Sequence, residues 1–176
     1  VHVALLLAGL ARAEPPVVVA DGTAVRSSFH LPVPPERLLI ALQDPTWEAR
    51  VAGEDTRVTP LGPDGVCQRV AYVSPNLVQD LHYELRRCPT ADGFDSTLVA
   101  SDGLASYHAR WTVRPEGSGC RVDYLVDLTI TLWAVPDSLV RAETRRGVAK
   151  RLAAIAAWAE APVSPPGPAP PPPPPG

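Results

Sequence analysis

Little in the sequence is suited to holding it in a membrane. Its opening apolar run, Val3 to Leu10, falls well short of the ~20 residues a spanning helix needs, so no transmembrane segment is expected. Basic charge is not in excess either. Lysine and arginine total 16 against 19 acidic residues, for a net charge of -3. Such a chain has no positive field for gathering phosphates, and nucleic acid is not an expected partner. Cysteine is scarce: Cys67, Cys88 and Cys120 form no CxxC pair and no Cys/His cluster. A metal site is therefore not expected. Short catalytic signatures are missing as well, with no GxSxG, HExxH, P-loop or paired-carboxylate motif, so no catalytic residue and no cofactor is assigned.

What is present is the composition of a globular domain, 45% apolar and 20% charged in 176 residues, with ends unlike the middle. The run Val3 to Leu10 is followed by Ala11-Arg12-Ala13, a small-x-small pattern that reads as a signal peptide over 1–13, cleaved after Ala13. Its charged n-region is nearly absent, with only His2 before the apolar run, so the leader reads as incomplete. Export to a periplasmic or extracellular compartment is the expectation. There, three cysteines leave at least one unpaired or bonded between chains, with room for one cystine. Residues 14–22 read as a linker and 23–161 as the domain. The stretch 162–176, ending in the run Pro170 to Pro175, reads as a disordered, extended proline-rich tail.

Within the domain, Val25, Phe29, Leu31 and Val33 alternate with Arg26, Ser28, His30 and Pro32, the pattern of a half-buried strand over Thr23 to Val33. Pro34-Pro35 ends it and opens a short helix through Leu42. Asp44-Pro45 repeats the signal, with Asp44 as N-cap, for a second short helix before Gly53. Period-two patterning then continues as a meander: Thr56 to Pro60, a turn at Gly62-Pro63-Asp64-Gly65, Val66 to Val73, a turn at Pro75-Asn76, Gln79 to Arg87, Ser96 to Ala100, Leu104 to Val113, and Arg121 to Trp133. The last is the clearest, with Val122, Tyr124, Val126, Leu128, Ile130 and Leu132 on one face. Pro136-Asp137-Ser138 caps a long helix to about Glu160 with an apolar stripe at Val140, Thr144, Val148, Leu152, Ile155 and Ala159. Arg141, Arg145, Arg146, Lys150 and Arg151 lie mostly off that stripe. They read as a solvated face, with transient contact to anionic lipid as the alternative.

One strand, two short helices, about six meandering strands and a long final helix is an element order that resembles the START-like (SRPBCC) superfamily. Pro34-Pro35-Glu36-Arg37-Leu38-Leu39-Ile40-Ala41-Leu42-Gln43-Asp44-Pro45-Thr46-Trp47 looks like its first-helix segment. Tyr107 to Val113 followed by Arg121 to Tyr124 looks like its late hairpin, and Ala134 to Val140 is similar to the entry into its last helix. The resemblance covers Thr23 to about Ala161. It implies an α+β helix-grip fold, a curved antiparallel sheet around a long C-terminal helix, enclosing a pocket for an apolar small molecule.

Strand alternation and helix spacing then name the candidate lining: Val70, Tyr72, Leu81, Tyr83, Leu85, Tyr107, Ala109, Trp111, Val122, Tyr124, Val126 and Leu128, facing Val148, Leu152 and Ile155. The same parity puts His82, His108, Asp123 and Asp127 on the outer surface. The functional expectation is binding or transport of a lipid-like, quinone-like or polyketide-like molecule. Leu61 to Asp64 and the turns at Gly93 and Gly103 are candidate gates. The alternatives are a cyclase- or dehydratase-type enzyme of the same superfamily, or a partner-binding module that uses the proline tail.

Overall fold

A computed structural model describes residues 13–53, 55–75, 80–131 and 136–161. The leader up to residue 12, the turn residue Asn76, the expected strand start at Gln79, the strand end at Leu132–Trp133, the Ala134–Val135 approach to the last helix and the tail at 162–176 lie outside the described residues.

The elements run β1 (Val17–Asp21), β2 (Ala24–Leu31), α1 (Pro35–Gln43), α2 (Pro45–Ala52), β3 (Arg57–Asp64), β4 (Cys67–Ser74), β5 (Leu81–Thr90), β6 (Gly93–Ser101), β7 (Leu104–Glu116), β8 (Gly119–Ile130) and α3 (Asp137–Glu160). The strands form one antiparallel sheet in the order β1-β2-β8-β7-β6-β5-β4-β3. Because β2 pairs with β8 (Phe29 opposite Val122) while β3 is the far edge strand, α1 and α2 carry the chain across the concave face. The long helix α3 packs in the same concavity, against β1, β2 and α2. This is the α+β helix-grip arrangement.

Several local expectations change. Residues 17–21 are not linker: they form β1, an edge strand paired with β2 through a turn at Gly22, whose φ of 61° favours glycine. Three valines in a row suit an extended backbone better than a linker. The Gly62–Gly65 turn is shorter than expected, since β3 continues to Asp64 past a bulge between Pro60 and Gly62. At α1 and α2 the proline signals hold, and Asp44 accepts from the Thr46 backbone N–H at 2.8 Å. The Thr46 hydroxyl bonds the same carboxylate and holds its pKa down. For α3, Pro136 is the N-cap with no side-chain bond; its carbonyl accepts the Leu139 and Val140 N–H groups.

Cys67 and Cys88 sit opposite each other across β4 and β5 and form a disulfide, while Cys120 is a buried free thiol. Gly93 lets two strands approach closely: a Cβ there would lie 1.7 Å from the Trp111 carbonyl oxygen. Gly93 is paired there with Thr112 of β7.

The core fills one end of the grip. Phe29, Leu38, Leu42, Phe94, Val122, Leu152 and Ile155 are fully or nearly fully buried there. Trp47 of α2 meets the Trp158 ring of α3 edge-on at 5.1 Å between centroids. The C-terminal half of α3 is thereby anchored. Its N-terminal half spans a space that the sheet side chains do not fill.

Candidate functional site

A cavity of about 490 Å³ lies between the N-terminal half of α3 and strands β4, β5, β7 and β8. From α3 it is faced by Leu139, Val140, Thr144, Gly147, Val148 and Arg151; from the sheet by Tyr72, Leu81, Tyr83, Leu104, Tyr107, Tyr124, Val126, Leu128 and Ile130. Gly147 is exposed at its border, and a Cβ added there would meet nothing within 4 Å. Asp55, Glu143, Arg146 and Lys150 line it too. They pair with one another, Lys150 with Asp55 at 3.5 Å and Arg146 with Glu143 at 2.5 Å.

Of the expected lining residues, Tyr72, Leu81, Tyr83, Tyr107, Tyr124, Val126, Leu128 and Val148 stand on the cavity wall. Val70, Leu85, Ala109, Trp111, Val122, Leu152 and Ile155 do not; they are buried in packed core. Alternation places a residue on the concave face but cannot say how far along the strand the core ends and the cavity begins. Of the candidate gates, the Gly103 turn borders the cavity: Leu104 lines it, and a Cβ on Gly103 would lie 2.6 Å from Leu81. The Leu61–Asp64 segment lies within β3 and does not line it.

The tyrosines form a row across the sheet. Tyr72 and Tyr83 stack with centroids 5.0 Å apart, Tyr83 and Tyr107 lie at 6.0 Å, and Tyr124 lies 4.2 Å from Trp111. Burial pushes all four phenol pKa values up. The Tyr83 hydroxyl bonds to Ser74 Oγ at 3.2 Å. The Tyr72 hydroxyl is buried without a hydrogen-bond partner among the described residues.

Beside Tyr72 lies a buried charge cluster. Glu48 of α2, 3% accessible, binds Arg87 of β5, 2% accessible, and Arg151 of α3, whose Nη2 donates to Glu48 Oε1 at 2.5 Å. Arg87 also donates to the Leu42 carbonyl at 2.8 Å and lies over the Phe94 ring. Arg151 is the member that faces the cavity. Burial works against its charge, but Glu48 and the phenols of Tyr124, Tyr107 and Tyr72 outweigh that and raise its pKa.

This cluster corrects the sequence reading of α3, in which Arg151 belonged to a solvated face. Its position one turn beyond Val148 puts it on the flank of the buried stripe. The signal for Arg87 was available: it continues the parity of Leu81, Tyr83 and Leu85. Glu48 had no such signal, because α2 is only eight residues long. The outward placements stand as expected for His82, exposed, and for His108 and Asp123, which pair at the surface with Asp95 at 3.6 Å and Arg114 at 3.0 Å. Asp127 alternates with the buried Val126 and is half-buried.

Comparison with solved structures places this architecture among START-like folds. A START superfamily protein from Mycobacterium smegmatis superposes with a TM-score of 0.68 at 13% identity, covering 79% of this chain and 98% of that one. The ZhuI aromatase/cyclase from Streptomyces sp. R1128 gives 0.67 at 15% identity, covering 78% and 93%. A major latex-like protein from Panax ginseng gives 0.60 at 9% identity, covering 77% and 95%. No protein-family model matches the chain, and no curated protein matches it in sequence. The chain has the START-like, or SRPBCC, helix-grip fold.

Proposed function

We propose that this protein binds and carries an apolar small molecule, lipid-like, quinone-like or polyketide-like, inside the grip. The observation that carries this reading is the cavity of about 490 Å³ walled by four tyrosines and aliphatic side chains. Its size falls in the range of about 300–1,000 Å³ usual for small-molecule pockets. Moving hydrocarbon from water onto such a wall contributes about 25 cal/mol per Å² of apolar surface. An exported setting, periplasmic or extracellular, agrees with the Cys67–Cys88 bridge, since disulfides persist in oxidising compartments.

Native mass spectrometry of the purified protein tests this. A mass adduct that is lost on denaturation and recovered in an organic extract is the expected result. Tyr107→Ala, which cuts back a ring on the cavity wall, should weaken retention more than His108→Ala on the outer face. A clean mass, with no uptake from a lipid and quinone panel, rules the carrier reading out.

A cyclase- or dehydratase-type reaction is a second reading, favoured by the tyrosine hydroxyls and Arg151 guanidinium in one chamber and by the likeness to an aromatase/cyclase. Ligand recovered chemically unchanged after prolonged incubation argues for carriage, and conversion argues for an enzyme.

A further inference from the structure

The buried cluster is unbalanced. Arg87 and Arg151 share the single carboxylate of Glu48, so among the described residues one positive charge of the cluster is left uncompensated beside the cavity. Arg87 is spent on Glu48 and the Leu42 carbonyl and lies against Phe94, away from the cavity. Arg151 is not spent: it lines the cavity, keeps 19% of its side chain accessible, and its Nε has no hydrogen-bond partner among the described residues. The described lining acids do not supply the missing negative charge, because Asp55 and Glu143 are already matched by Lys150 and Arg146.

A second, independent observation sits at the same place. Tyr72 also lines the cavity, is only 4% accessible, and its buried hydroxyl has no hydrogen-bond partner among the described residues. A buried hydroxyl without a partner is costly to a fold unless a ligand completes it. A guanidinium and a hydroxyl beside a wall of tyrosines and aliphatic side chains form a complement to an oxyanion on a hydrophobic body.

We infer that the cavity selects an anionic amphiphile, a ligand whose acidic head group, such as a carboxylate or sulfonate, docks on Arg151 and Tyr72 while its apolar body lies along Tyr83, Tyr107, Tyr124 and Leu128. This rests on the reading of the cavity as an apolar-ligand site and adds the sign of the ligand's charge. The head group restores neutrality to the Arg87–Glu48–Arg151 cluster.

Two fluorescent probes of nearly the same apolar shape test the inference: anilinonaphthalene sulfonate, which is anionic, and N-phenyl-naphthylamine, which is neutral. The sulfonate should bind the full-length protein tighter by about tenfold or more, as charge-assisted hydrogen bonds in a dry site allow, and each probe should displace the other. Arg151→Met should remove the preference, Arg151→Lys should keep part of it, and Tyr72→Phe should reduce sulfonate affinity several-fold while leaving the neutral probe unaffected. Circular dichroism and urea midpoints identify any variant that loses its fold, and Tyr72→Phe, which removes one oxygen, tests the head-group site if Arg151→Met does not fold. Equal affinity for the two probes, or an undiminished preference in a folded Arg151→Met or Tyr72→Phe protein, overturns the charge selection and leaves the carrier reading standing. Probes that bind without displacing each other also overturn it, and uptake of neither probe sinks both readings.

Discussion

Arg151 of α3 reaches Glu48 of α2 across the mouth of the core, guanidinium nitrogen to carboxylate oxygen at 2.5 Å. The contact ties the helix that roofs the cavity to the short helix beside it. Through Glu48 it also reaches Arg87 on the sheet, so one carboxylate joins three elements of the grip. Glu48 is almost wholly buried, and its removal leaves two guanidiniums facing each other in a poorly solvated space.

Glu48→Ala is accordingly expected to destabilise the protein by about 3–5 kcal/mol, the cost of breaking a buried ion pair from one side. Arg114→Ala, which breaks an exposed pair with Asp123, should cost less than about 1 kcal/mol. Urea unfolding of both variants checks the contrast, and equal midpoints would mean that the cluster contributes no more than a surface pair.

Tyr72→Phe and Tyr83→Phe should part company in the ligand-free protein. The Tyr72 hydroxyl is buried with no partner, so losing it should be neutral or stabilising by about 1 kcal/mol, whereas Tyr83 gives up its bond to Ser74 at a cost of about 1 kcal/mol. Thermal melts read the difference. If Tyr72→Phe proves the more harmful substitution, its hydroxyl is satisfied in solution by a group that competes with any ligand.

Alkaline pH should unfold the protein. Burial raises the Cys120 thiol from an ordinary 9.0 to about 11, and raises the phenols of Tyr72, Tyr83, Tyr107 and Tyr124. A folded pKa above the unfolded one means that the unfolded chain releases its protons first. The stability these groups contribute is therefore complete below about pH 9 and drains away as the pH climbs. Phenolate absorbance should rise together with the loss of far-ultraviolet circular dichroism, and Cys120→Ala should move the onset upward. Ionisation of these tyrosines with the fold intact would contradict the burial argument.

Replacing Cys67 and Cys88 together with alanine should lower stability by about 3 kcal/mol. The bridge closes a loop with a sequence separation of 21, and its chief effect is to restrict the unfolded chain. Reductant should produce the same shift in the urea midpoint of the parent protein and none in the variant. A midpoint indifferent to reductant would place the two sulfurs as free thiols.

Alternation along Arg121 to Trp133 is enough to assign the concave face of β8, because a strand with one dry face must place its apolar residues at every second position. Proline at the first turn is enough to start α1 and α2. The edge strand β1 is less legible, since three valines pair only once β2 is beside them. The cavity wall is legible for Tyr83 and Tyr107 and illegible for the division between Tyr124, which faces the cavity, and Val122, two residues away, which is sealed in core. Both obey the same parity.

Local pattern thus dictates the order of elements and the dry side of each, since those depend on neighbours one to four residues away. Where the core stops and the cavity starts depends on how the side chains of α3 match a sheet far off in sequence. The Glu48 cluster is of the same kind. Arg151 and Glu48 are 103 residues apart and Arg87 lies between them in sequence, so only folding of α2, β5 and α3 together brings the three into one buried cluster with Arg151 on the cavity wall.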